Sequence, residues 1–293
     1  MALYKPRLDH VIFQAIHKAE ETIENKLDCD LLCYSGEIRI EYLNQFRDKV
    51  ETLAARDEKR EALGVCLTTP GGQAEAVEKM VEIIRHHYQY LYVIVPQMAL
   101  SAGTIFCMAA DKIYMDYASS LGPIDPQVPD KEGRFFIPAL GYLDKINELI
   151  DKSRNGTITP AEFTLLEKQD LAMLRFYEQA KDLSVNLLKS WLTKYKFKDW
   201  STHRTHNKGK PVRDEEKVKR AEEVAEILSD NNHWHSHGRM IGMKTMREEV
   251  RIEIDDFGLD DELQDAIRCY CDTLTDYLAR HQIPWYISNR NTE

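Results

Sequence analysis

LGVCLTTPGGQAEAVEKMVEII, residues 63–84, and LYVIVPQMALSAGTIFCMAA, residues 91–110, decide how this chain folds. Residues 63–67 are apolar, too few for a helix, and stop at Thr68-Thr69-Pro70-Gly71-Gly72, so they read as a buried strand ending in a turn. Ala76, Val77, Met80, Val81 and Ile84 then recur at the spacing of one helix face. Residues 91–95 form a second strand, bounded by Pro96. After a short loop, residues 102–110 read as a buried helix and 112–115 as a further strand. Strands alternating with helices imply right-handed crossovers and a mostly parallel sheet flanked by helices, an α/β fold.

Working outward, residues 8–26 read as an amphipathic helix, and 31–34 as a short strand ended by Ser35-Gly36. Residues 38–56 are expected to be helical, with Ile40, Leu43, Phe46 and Val50 on one face. Downstream the character changes. Thr159-Pro160-Ala161-Glu162 is a helix-start signal, and a helical pattern runs from it to about residue 195. Residues 199–213, with His203, His206, Lys208, Lys210 and Pro211, read as a polar surface loop. Asp214 opens another helix, with Val218, Ala221, Ala225 and Leu228 in phase, and a last helix spans roughly 259–281 before the tail. The expected organisation is one domain, with its core at about 28–130 and 230–256. A helical extension covers about 139–229 and 259–281.

A net charge of −10 over 293 residues argues against a nucleic-acid binder and against attraction to an anionic membrane. The longest apolar stretch, 90–110, is interrupted by Pro96, Gln97, Ser101 and Gly103, so no membrane span is expected. The first residues lack an apolar core and a cleavage site, which gives no signal peptide. Six scattered cysteines without a CxxC do not suggest a disulfide scaffold. Together these features point to the cytoplasm.

In a parallel sheet both quoted loops emerge at the carboxyl ends of strands, where open α/β folds bind ligands. Gly71-Gly72 lets bare backbone N–H groups approach a ligand. Ser101 stands between a loop and a helix, with its hydroxyl near the helix's positive end, and Gly103 permits close packing behind it. A serine facing glycine amides is what acyl transfer requires: a nucleophile, and donors aimed at the developing oxyanion. Each motif alone also reads blandly, as a helix cap or a turn. His233, His235 and His237 alternate, and on a strand they would share one face. No cysteine or carboxylate completes a zinc pattern around them, so no metal is expected. His237 is also a candidate base.

TTPGGQAEA, ALSAGTIFCMAADKIYMD and SSLGPIDPQ, in this order and spacing, resemble the serine dehydrogenase proteinase family, related to the signal peptide peptidase SppA and to ClpP. The resemblance is clearest over about 31–128, with a weaker echo in HSHGRMI. It implies a ClpP/crotonase-like fold and a serine peptidase. Ser101 would be the nucleophile, with an oxyanion hole from the amides of Gly71 or Gly72 and of Ala102. It also exposes a gap. ClpP-type enzymes place a histidine base shortly after the strand that follows the nucleophile helix, and here Asp125 stands in that neighbourhood. SppA-type enzymes use a lysine instead. Lys145, 44 positions after Ser101, is the favoured candidate, with Lys152 behind it. Asp125 could orient a base. The implied partners are a peptide or protein substrate and further copies of the chain, with no cofactor. Two other readings of the same fold are a non-catalytic oligomeric binding module and crotonase-type acyl-CoA chemistry.

Overall fold

The computed structural model describes residues 7–125, 127–129, 136–203 and 208–289; His206 lies outside them. Helix α1 (Arg7–Leu27) leads into β1 (Cys29–Ser35). There follow α2 (Leu43–Ala54), β2 (Ala62–Thr68), α3 (Ala74–His87), β3 (Tyr90–Ile94) and the two-residue strand β4 (Met98–Ala99). Next come α4 (Ala102–Met108), β5 (Lys112–Met115) and β6 (Ser120–Leu121). An antiparallel pair, β7 (Gln127–Pro129) with β8 (Phe136–Pro138), precedes α5 (Ala139–Arg154), α6 (Pro160–Glu167), α7 (Leu171–Trp191) and α8 (Asp214–Ser229). The chain then runs through α9 (Asn231–Trp234), β9 (Ile241–Gly242), α10 (Met243–Glu248), β10 (Asp255–Asp256), α11 (Asp261–Arg280) and β11 (Tyr286–Asn289).

The main sheet has the order β10-β5-β3-β2-β1-β11, parallel throughout except for β11, which runs antiparallel to β1. Its strands are apolar on both sides because both faces are covered. Leu32, Tyr34, Leu63, Val65, Leu67, Leu91, Val93, Ile113 and Met115 point into one core, shared with α2, α3, α4, the end of α7, and α8. The alternate residues Leu31, Cys33, Cys66, Ile94 and Tyr114 face a second core built with α1 and α11. Fully burying a single Leu or Val contributes roughly 1.5–3 kcal/mol, so the period-2 pattern fixes strand register firmly.

Four segments differ from the sequence expectation. The helical pattern from 159 to 195 breaks at Lys168–Gln169 because Asp170 caps a new helix, accepting from the amides of Ala172 and Met173. The helix expected at 259–281 is α11, and it lies against the sheet, with Ile267 and Tyr270 fully buried. The tail supplies β11, whose Ile287 and Ser288 are buried at the sheet edge. The start of the 38–56 segment is a 3-10 turn (Ile40–Tyr42) rather than α-helix.

Candidate active site

A second, small sheet stands at the carboxyl ends of β2 and β3 and, with the turn that follows β2, carries the polar elements of the candidate site. The Thr69 amide donates to Met98 O (2.9 Å) and the Leu100 amide to Thr69 O (3.0 Å), which lays β4 beside the end of β2. β6 runs parallel to β4, and β9 runs antiparallel to β6. Reading across, each segment delivers one component: the diglycine turn, Ser101, Asp125 and His237.

Ser101 is the N-cap of α4 with φ 51° and ψ −115°. A non-glycine residue held there costs of order 1–3 kcal/mol, and such strain concentrates at functional positions. Serines at helix starts normally turn the hydroxyl back onto the first amides. Ser101 makes no such bond, so its Oγ is left for other chemistry. The strand–sharp turn–helix geometry is that of a nucleophile elbow.

The diglycine turn is built against this serine. A Cβ on Gly71 (φ +121°) would stand 2.9 Å from Ser101 Cβ and 3.0 Å from Leu100 O. On Gly72 (φ +145°) it would stand 2.0 Å from Ile38 O. Bonds from the Ile38 amide to Gly71 O (2.8 Å) and from the Gln73 amide to Ile38 O (2.9 Å) pin the turn. The Gly71 amide donates to Thr69 Oγ1 at 3.0 Å. Among the described residues the amides of Gly72 and Ala102 have no acceptor, so these two, not that of Gly71, are the free donors. Helix α4 is drawn in at Gly103, where a Cβ would meet Thr69 Cγ2 at 2.5 Å.

Asp125, only 1% exposed, receives His237: Nδ1 to Oδ1 is 2.6 Å. The bond falls where the antiparallel register of β6 and β9, continued past Leu121 and Ile241, places it. With the proton on Nδ1, His237 donates to the carboxylate and keeps Nε2 as an acceptor. The other carboxylate oxygen, Oδ2, is buried without a partner among the described residues. The three alternating histidines are not on a strand. His233 belongs to α9 and approaches Glu249 (Nε2 to Oε2 3.4 Å), while His235 takes a left-handed conformation. Only His237 turns inward to a carboxylate.

The lysines sit in different surroundings. Lys145 is 60% exposed with Nζ 2.8 Å from Glu148 Oε2. Lys152 bonds Glu162 (2.7 Å) and Glu148 (2.9 Å), and these two partners push its ammonium above the ordinary lysine value. A lysine base needs burial that strips its charge; neither has it.

Two residues escaped the sequence reading. Thr69 holds the Gly71 amide, and Thr104 bonds Gly122, Oγ1 lying 2.9 Å from both Gly122 N and Gly122 O. Both are fully buried. Neither carries a local signal: Thr69 is one of two threonines before Pro70, and Thr104 is an isolated hydroxyl in an apolar run.

The doubly covered parallel sheet, with an elbow serine beside a diglycine turn, defines a ClpP-like α/β protein. The family model of the ClpP-like SDH-type serine proteinases matches residues 47–210, and the chain belongs to that family. Two curated relatives from Methanocaldococcus jannaschii, the uncharacterized proteins MJ0137 and MJ1495, are 40% identical over 70 residues and 38% identical over 66. These stretches span 24% and 22% of this chain, and 24% and 23% of the relatives, about a quarter of their length. Among solved structures, the 1510-N membrane-bound stomatin-specific protease is similar in two forms. A serine-to-alanine mutant aligns over 76% of both chains, with 16% identity and a TM-score of 0.44. A lysine-to-alanine mutant in complex with a substrate peptide aligns over 76% of this chain and 72% of that one, with 18% identity and a TM-score of 0.44.

Proposed function

We propose that this chain is a serine endopeptidase that cleaves peptides or unfolded protein segments through an acyl-enzyme on Ser101. The observation that carries the reading is the placement, at the strand ends of one three-stranded sheet, of a strained uncapped serine after β4 and an aspartate-held imidazole between the end of β6 and the start of β9. His237 is the general base and Asp125 orients it, in preference to the lysine base expected from SppA-type relatives. His237 Nε2 takes the Ser101 hydroxyl proton as Oγ bonds to the scissile carbonyl carbon. The carbonyl π pair moves onto oxygen, where the Gly72 and Ala102 amides receive it. As the C–N bond breaks, the imidazolium returns the proton to the departing amine. Water then repeats the sequence on the ester. Among the described residues Ser101 and His237 share no hydrogen bond; catalytic contacts of this kind commonly tighten when substrate binds. One oxyanion donor is worth roughly 3–4 kcal/mol of transition-state stabilisation.

Six free cysteines fit a reducing compartment such as the cytoplasm. The exposed Phe163, Leu165, Leu171 and Phe176 on α6 and α7 offer apolar surface for self-association. Labelling by a fluorophosphonate tests the assignment. Ser101 is expected to react, Ser101→Ala to abolish the reaction, and His237→Ala to slow it at least a hundredfold, with Lys145→Ala within twofold of the parent. A lysine-dependent, histidine-independent rate would return the base to Lys145. Absence of any labelling would favour a binding module.

A further inference from the structure

Thr104 lies one turn into α4, three residues after Ser101, and is fully buried. Its hydroxyl oxygen is 3.0 Å from Ala99 O and 2.9 Å from Gly122 O, and it accepts from the Gly122 amide at 2.9 Å. A hydroxyl has one proton and can also accept, so Oγ1 donates to one of the two carbonyls while receiving Gly122 N–H. These three backbone groups belong to different parts of the site. Ala99 ends β4, two residues before the nucleophile. Gly122 follows β6, three residues before Asp125. β4 and β6 pair over only two residues each, Met98 with Ser120 and Ala99 with Leu121. Past that point the segment bearing Asp125 turns away, its Ile124 amide donating to Leu228 O (3.0 Å). The buried hydroxyl of Thr69 serves the diglycine turn instead.

We infer that Thr104 is a positioning residue that sets the distance between Ser101 and the Asp125–His237 pair by clamping the Gly122 backbone to the nucleophile strand. This rests on the peptidase reading above and adds the part that makes the two halves of its machinery act together. The clamp is placed for it: Thr104 shares its helix with the serine, so a shift of Gly122 relative to Oγ1 is also a shift of Asp125 relative to Ser101. A displacement of about 1 Å in such an arrangement costs on the order of a hundredfold in rate. Valine matches threonine in shape and removes the hydroxyl, leaving the Gly122 amide without its acceptor.

The experiment compares parent, Thr104→Val and Thr104→Ser by fluorophosphonate labelling and by kcat and KM on fluorescein-labelled casein, with thermal melting alongside. The expected result is a fall of about 10–100-fold in labelling rate and in kcat for Thr104→Val, with KM within about twofold, and recovery to within about threefold in Thr104→Ser. If Thr104→Val does not fold, Thr104→Cys, whose thiol is a weak donor, is read in its place. A folded Thr104→Val that labels at the parent rate overturns the inference and leaves the peptidase reading intact. A Thr104→Ser as slow as Thr104→Val also overturns it, since the hydroxyl would then not be the active feature. A parent protein that does not label removes the peptidase reading and this inference together.

Discussion

Removing the His237 imidazole should damage the fold as well as the chemistry, and by an amount the geometry sets. Asp125 is 1% exposed, its Oδ2 already lacks a partner, and its Oδ1 is held at 2.6 Å by His237 alone among the described residues. In His237→Ala both carboxylate oxygens become unpaired in a buried position. Deleting the hydrogen-bond donor to a buried carboxylate leaves that group uncompensated, at a cost of about 3–5 kcal/mol. His237 itself is 19% exposed, so water can enter the vacated space, and the low end of that range, about 3 kcal/mol, is expected. For a domain of this size that is a drop of about 6–12 °C in melting temperature. Adding Asp125→Asn removes the charge, and the double variant should recover about half the loss. The assay is urea denaturation of the parent, both single variants and the double variant, with the coupling taken from the cycle. A coupling indistinguishable from zero, or a double variant less stable than His237→Ala, would refute the pairing and the base assignment built on it.

Other consequences can be measured independently. Gly71→Ala meets a positive φ and a 2.9 Å contact with Ser101 Cβ; a loss of about 2–3 kcal/mol and a labelling rate down at least tenfold are expected, by melting and fluorophosphonate kinetics. Ser101→Gly relieves the φ 51° conformation that Ser101→Ala retains, so it should melt about 2–4 °C higher than Ser101→Ala while both are inactive. Asp111 gives a pH signature. Burial pushes its carboxyl up, but bonds from Lys198, the Leu91 amide and Arg85 outweigh that, and it titrates below the ordinary 3.8. Its stabilising contribution is therefore whole above about pH 3.8 and lost as the pH falls through the lower folded value. Acid unfolding of Asp111→Asn should show a shallower limb, and an unchanged limb would contradict this.

The sequence made the main sheet legible because burial on both faces leaves short apolar runs between turn signals. Residues 63–67, 91–95 and 112–115 each fall on a strand of the main sheet. Ser101 and the diglycine turn were legible for the same reason, each following such a run. The base was not. Asp125 and His237 are 112 residues apart, joined through two-residue strands too short to show any periodicity. The alternation of His233, His235 and His237 suggested a strand, but Asp230 caps a helical turn there by accepting from the Asn232 and His233 amides. Spacing from Ser101 singled out Lys145, and spacing could not show that Lys145 lies on the open side of α5, paired with Glu148.

The order in which the strands of the small sheet occur along the chain bears on how the protein is made. A ribosome delivers the nucleophile and its amide cradle first, then Asp125, and the imidazole only after more than a hundred further residues. On the proposed assignment a partly synthesised chain is harmless to its neighbours. It becomes able to cut only once residues 237–242 have emerged and docked beside β6, so the late arrival of the imidazole serves as the safety catch.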